Sequence, residues 1–253
     1  MTDRLTETSR TTDTRRMKAI LTLCAAVAFA SAPFWTSGFG GFDPNRYPIP
    51  QIDPPVQPAG YAFSIWGPIY LWLIVSAGFG LFRRAEDANW DKVRVPLILS
   101  LVLGTPWISV AMVSPIWATV MIWGMLGGAL LALARSPLGD HWWLRAPLAL
   151  YAGWLTAASF VSLALLGAGY GVAMGATGWA WAALTLALAT GLAVQRALPG
   201  APLYGLALAW ALLAVAVKNG AAAPGLTALA GIGVVASLAA AWMSWREDTE
   251  TAR

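Results

Sequence analysis

The chain has little charge, and that lack decides its class. Asp, Glu, Lys and Arg make up 11% of its 253 residues while 58% are hydrophobic; a soluble domain is about a quarter charged. Such a composition belongs to a polytopic membrane protein, with the lipid bilayer as its first partner. Cysteine and histidine occur once each, as Cys24 and His141. A single cysteine excludes a disulfide framework and a cysteine-based metal cluster, and inside an apolar run Cys24 reads as a small filler residue. One histidine and one cysteine in distant parts of the chain do not suit axial haem ligation. None of the twelve acidic residues falls inside an apolar run; they lie at the two ends and in the loops, as Asp43, Asp53, Asp87 and Asp140 do. Ion-coupled carriers bury an ionisable group at membrane depth, so a coupled pump is disfavoured, and so is an intramembrane metalloenzyme or protease. The net charge of +4 comes from residues scattered over short loops. They leave no basic face to track a phosphate backbone, which argues against nucleic acid as a partner.

What is present is apolar length. Runs of roughly 17–22 residues mark membrane spans, here near 19–38, 61–82, 95–113, 116–134, 147–168, 178–195, 203–218 and 226–245. The expected fold is therefore an all-α polytopic membrane helix bundle of about eight transmembrane helices. Seven stays open, because 203–218 is short and Ser114–Pro115 joins two runs tightly. Fourteen of the sixteen basic residues fall on one side of these spans, leaving Arg46 and Lys218 on the other. The positive-inside rule then makes both termini cytoplasmic, in the cytoplasmic (inner) membrane. Arg15, Arg16 and Lys18 followed by an apolar stretch ending Ala30-Ser31-Ala32 resemble a cleavable signal. Apolar length continuing through Trp35 favours a retained first helix. Residues 1–16 and the segment after Trp245 lack apolar periodicity and are expected to be disordered. Lys218, at the outer end of its span, reads as a snorkelling side chain.

The segment from Phe39 to Gly60 is the one long outer loop, and it carries six prolines. Such a loop is either a functional lid or a plain connector. It runs directly into Phe63, Trp66 and Tyr70, which share one helical face. Fifteen tryptophans are present. Interfacial belts explain Trp35, Trp117, Trp179, Trp181, Trp242 and Trp245. Trp66, Trp72, Trp107, Trp123, Trp154 and Trp210 lie deeper, where an indole N–H needs a partner, so they are expected to face the bundle interior. At about 1.5 Å rise per residue, Trp66, Trp107 and Trp123 fall at one depth, as a single aromatic layer under the loop. A wall of flat rings there suits a planar, hydrophobic small molecule. Gly124 with Gly128, Gly205 with Ala209, and Gly233 with Ser237 form small-xxx-small pairs. These report internal packing more often than dimerisation, and a homodimer stays open.

Two segments carry a resemblance. GYAFSIWGPIYLWL, preceded by Pro54, Pro55 and Pro58, resembles the start of the second helix of the tryptophan-rich sensory protein (translocator protein) family. YAGWLTAASFVS at 151–162 is similar to that family's fifth helix, through Tyr151, Trp154, Thr156, Ser159 and Phe160, and Trp107 is a weaker third match. Where the family pattern has asparagine, this chain has Gly104 and Ser162, and its Phe63 stands one position closer to the tryptophan. The resemblance covers about residues 19–168, five spans. It implies a five-helix core at 19–168; charge and hydropathy then leave a cytoplasmic N-terminus at 1–18, three spans at 169–245 that the family pattern lacks, and a cytoplasmic tail at 246–253. It further implies a binding or sensory protein without enzymatic activity or a resident cofactor, taking an apolar ligand such as a porphyrin. The candidate ligand-binding residues are Phe63, Trp66, Tyr70, Trp107, Trp123, Tyr151, Trp154, Phe160 and Ser162. Two other functions compete: an uncoupled transporter of hydrophobic molecules, and a membrane assembly or regulatory partner with no small ligand.

Overall fold

The computed structural model describes residues 2–36 and 41–251, with side chains described over 12–36 and 41–246. The regular structure among these residues is helical throughout. Eight helical segments are long and apolar enough to cross a membrane, so the chain is an integral membrane protein. They run Thr12–Phe34, Gly60–Arg83, Ala88–Val113, Pro115–Arg135, His141–Gly169, Ala176–Ala197, Pro202–Asn219 and Pro224–Arg246, close to the spans expected from hydropathy. The helices within them are α1 (Thr2–Ser31), α2 (Trp66–Arg83), α3 (Ala88–Gly104), α4 (Trp107–Val113), α5 (Pro115–Arg135), α6 (Ala146–Gly169), α7 (Ala176–Ala197), α8 (Pro202–Asn219) and α9 (Pro224–Thr251). The third span is broken where Pro106, lacking an N–H, separates α3 from α4. Side chains start its neighbours. The Asp87 carboxylate accepts from Asn89 N–H at 2.7 Å to cap α3, and Ser114 caps α5 ahead of Pro115. Helix reaches Thr2 at one end and Thr251 at the other, where the sequence suggests disorder. With no Gly or Pro in 2–16 or 246–251, each terminal segment extends a helix already nucleated in the bundle.

The centre of the bundle is α6. Buried residues fill 78% of its apolar window, against 28% for the windows of α7 and α9. Apolar on every side, it is the helix that others can surround. Two rings of helices share it. α1, α2, α6, α5 and α3 touch in a closed circuit, and α6, α7, α9 and α8 form a second. Small residues set the second ring's close approaches. A Cβ at Gly153 would collide with the Tyr204 carbonyl, and one at Gly205 would lie 2.8 Å from the Ser237 carbonyl. Gly128 belongs to the first ring, where a Cβ would lie 2.8 Å from the Pro96 carbonyl. Its GxxxG thus serves packing between α3 and α5.

Two arginines at the termini end of the bundle are buried. Arg145, 4% exposed, ends a π-helical turn at His141–Arg145. It donates to the carbonyls of Ser136 at 2.9 Å, Gly200 at 3.0 Å and Pro199 at 2.6 Å. One guanidinium thus ties the end of α5 to the α7–α8 turn. Arg94 donates to the carbonyls of Arg84 at 2.7 Å and Ala85 at 2.8 Å, satisfying the end of α2.

Candidate ligand cavity

The five-helix ring is plugged at its middle. Gly104 is the reason, since a Cβ there would collide with the Phe29 ring. The missing side chain admits Phe29, whose ring packs edge-on to Trp66 at 5.8 Å and Tyr70 at 5.0 Å and lies 5.7 Å from Tyr151. Tyr151 is fully buried, with its hydroxyl 3.0 Å from Ser100 Oγ. Trp66 and Tyr70 stack on each other at 5.2 Å. Beside this plug a cleft of about 310 Å³ opens between the end of α1 and the start of α2, with Phe63 and Trp107 also in its wall.

The second space is a narrow slot of about 60 Å³ at the seam of the two rings, on the end of the bundle that carries the proline-rich loop. Trp154, Ala158 and Val161 of α6 line it, with Phe63 and Trp107 on one side. Leu184 and Ala187 of α7 and Leu208, Leu212 and Val215 of α8 stand opposite. Phe42, Val56, Gln57 and Pro58 of the loop close it. Among the described residues no charged side chain lines this space, and its walls are almost wholly apolar. One polar atom stands out. Trp154 is 3% exposed, and its indole N–H has no hydrogen-bond partner among the described residues. The N–H groups of Trp107 and Trp210 donate to the carbonyls of Ala118 at 2.8 Å and Ala62 at 3.0 Å. A buried donor left open costs stability unless something enters to accept from it.

Of the residues expected at the site, Phe63, Trp107, Trp154 and Phe160 line this cavity. Trp66 and Tyr70 stand one layer away, in the cleft beside α1. Tyr151 is part of the plug. Ser162 is buried against Thr119, hydroxyl to hydroxyl at 2.7 Å, pinning α5 to α6. Trp123 departs furthest: it is 36% exposed on the outside of α5 and meets Phe160 edge-on at 5.1 Å. The single aromatic layer is therefore split. Depth along a helix fixes height, but the turn of the helix about its own axis decides what a side chain faces.

The α7 and α8 walls were not legible as site residues. Leu208, Ala211, Leu212 and Val215 do fall at i, i+3, i+4 and i+7, one helical face. In a membrane span that pattern does not separate a cavity wall from a lipid contact. Nor does Lys218 merely reach for water. Its Nζ lies 2.9 Å from Asp53 Oδ1 and donates to the Pro54 carbonyl at 3.1 Å. Residues 41–42 and 56–58 of the loop lie over the cavity; residues 37–40, which include Phe39, lie outside the described residues.

Residues 45–243 match the family of TSPO-like proteins, from the proline-rich loop into α9. No curated protein and no solved structure matches the chain. The match runs past residue 168, where the motif resemblance ends, so α7 and α8 lie inside it and α1 lies before it. With most of its length matched, the chain belongs to the TSPO-like protein family.

Proposed function

We propose that this membrane protein is a binding or sensory protein whose seam cavity takes a flat apolar molecule, with a tetrapyrrole as the leading candidate. The observation that carries this reading is the apolar, ring-walled space itself, with Trp154, whose indole N–H is unpartnered among the described residues, in its wall. The slot, of about 60 Å³, would have to widen by movement of its loop and side chains to take the apolar body of the ligand, and Trp154 would then donate to one acceptor on it. Ionised groups, such as a porphyrin's carboxylates, would stay outside, because the lining carries no charge to meet them. The role is binding without chemistry. The basic residues favour a placement with both termini cytoplasmic in the inner membrane.

Protoporphyrin IX titrated into the protein in nanodiscs should quench its tryptophan fluorescence with saturation. Ala158→Phe fills the cavity and should abolish the saturable part. Trp154→Phe keeps the ring but removes the donor, and should weaken binding by about tenfold, the value of one buried hydrogen bond. Undiminished binding in Ala158→Phe would place the ligand elsewhere. The second reading, uncoupled movement of hydrophobic molecules, is favoured by the lack of acidic residues in the apolar runs. Flux into vesicles that follows a proton gradient would sink it.

A further inference from the structure

The strap of the roof, residues 53–59, is fastened to α8, while Ile49 N–H donates to the Gly169 carbonyl of α6 at 2.9 Å and Phe42 packs on Trp107. Asp53 pairs with Lys218 at 2.9 Å, and the Pro54 carbonyl accepts from the same ammonium at 3.1 Å. The Pro55 carbonyl accepts from Asn219 Nδ2 at 2.8 Å. Beyond the roof, Ala59 N–H donates to the Ala214 carbonyl at 3.2 Å. Val56, Gln57 and Pro58, which close the cavity, lie between these two sets of contacts. The roof is a strap pinned on both sides.

The chemistry of the strap explains why the pins are what they are. Pro54, Pro55 and Pro58 have no N–H, so this stretch can offer little but carbonyl oxygens. Lys218 and Asn219 supply the matching donors from the last turn of α8. Asn219 also donates to the Val215 carbonyl of its own helix at 2.9 Å, which fixes its amide for the strap. Asp53 stands at φ +48°, in the left-handed region that residues other than glycine seldom adopt. Backbone held there persists where its surroundings over-determine it, and the Lys218 contact is the restraint on view. Asp53 itself is largely exposed. The contact thus has its Asp53 arm in water while the Lys218 side chain, 18% exposed, is largely covered.

We infer that Lys218 and Asn219 form the latch of the cavity: when they release residues 53–55, the strap 56–58 lifts from α8 and a molecule can enter or leave. The inference rests on the cavity taking a ligand, and it gives α8 a positioning role beyond that of a wall. The prolines limit how far the freed strap can wander, so release and closing are a hinged movement.

The test reads opening without any ligand. In the full chain in nanodiscs, with Cys24→Ser, a cysteine is placed in the cavity by Ala158→Cys and its labelling by a water-soluble maleimide is timed. Where closing outpaces labelling, the rate follows the open population. Adding Lys218→Met and Asn219→Leu together should raise the rate by about tenfold or more, the value of a charge-assisted hydrogen bond. Lys218→Arg, which keeps charge and donors, should stay near the parent rate. Asp53→Asn touches the exposed partner alone and should give a rise of a few-fold, which keeps the test open if the double variant does not fold. Rates equal to the parent's in Asp53→Asn and in a folded double variant would overturn the latch. Failure of protoporphyrin IX to bind would count against the ligand reading and leave this rate comparison standing.

Discussion

The two rings around α6 are built from different materials. In the first, large flat side chains meet one another: Phe29, Trp66, Tyr70 and Tyr151 at the plug, and Phe79 stacked on Trp143 at 4.5 Å near the termini end. In the second, helices close on glycine and alanine, as Gly153 does against the Tyr204 carbonyl and Gly191 against Leu208. Small residues let backbones approach until little space is left. Rings are rigid, and groups of them pack edge to face with gaps that other residues must fill. The cavity lies where the two materials meet, with Phe63, Trp107 and Trp154 on one side and Ala183, Ala187 and Ala211 on the other. Flat rings facing short side chains leave a slot. An empty slot is thus the expected product of this seam.

The strongest way to break the comparison is to cut the tie between the rings at Arg145. Its guanidinium satisfies the buried carbonyls of Ser136 and Gly200 and the partly buried one of Pro199. Arg145→Ala leaves several of them open and should cost about 3 kcal/mol or more. Thermal unfolding in detergent reads this directly. Arg145→Lys keeps the charge but not the planar fork, and should recover only part of the loss. A midpoint in the alanine variant within error of the parent would mean the rings hold together by packing alone.

A smaller perturbation tests the aromatic ring by itself. Phe29 fills the room left by Gly104 and touches three other rings. Phe29→Ala should cost about 2–3 kcal/mol, below the usual value for a soluble core because lipid is as apolar as the site. It should also join the cleft beside α1 to the ring interior, giving protoporphyrin IX a second place to bind. Titration should then show more ligand bound per protein than in the parent. Unchanged stoichiometry would mean that Trp66 and Tyr70 collapse into the gap.

Why Phe29 matters could not be read from the chain, and the reason is general. Spans announce themselves by hydropathy, so the eight spans follow from composition; the break between α3 and α4 was not legible, and Pro96 stands inside α3 without breaking it. The rotation of each span does not, because lipid-facing and interior-facing positions are both apolar. That is why Trp123, placed at the right depth, points outward while Trp154 points into the cavity. Phe63 and Trp107 were legible from their depth below the loop, and both line the cavity. The α8 wall was not, since Leu208 and Leu212 resemble any membrane leucine. Lys218 and Asn219 were visible as polar residues at a helix end, but their partners Asp53 and Pro55 lie over 160 residues away in sequence. Gly104 did leave a trace: a small residue where the family pattern has a larger one implies that something else takes the space.

The gentlest test confines itself to one edge of the aromatic ring. Arg84 donates to both Asp140 oxygens, at 2.9 and 3.1 Å, and Trp90 Nε1 adds a third bond at 2.8 Å. These bonds join the end of α2 and the start of α3 to the turn before α6. The hydrogen bonds from Arg84 hold the Asp140 carboxyl below its ordinary value of 3.8; partial burial opposes them, and Trp90 adds to the lowering. The folded protein therefore binds this proton more weakly than the unfolded chain does. Its contribution to stability is complete above the ordinary carboxylate range and is lost as pH falls through that range toward the folded value. Arg84 stays charged throughout that window, since its own value is raised by the same contact. The Asp140 contribution should stay under about 1 kcal/mol, because the pair lies near water and is screened. Hydrogen exchange should show it where global unfolding does not. Acidification should lower protection at residues 84–94 more than in α8, and Asp140→Asn should remove that difference. Equal loss in both regions would mean that acid acts on the bundle as a whole, and that the two rings open as one unit.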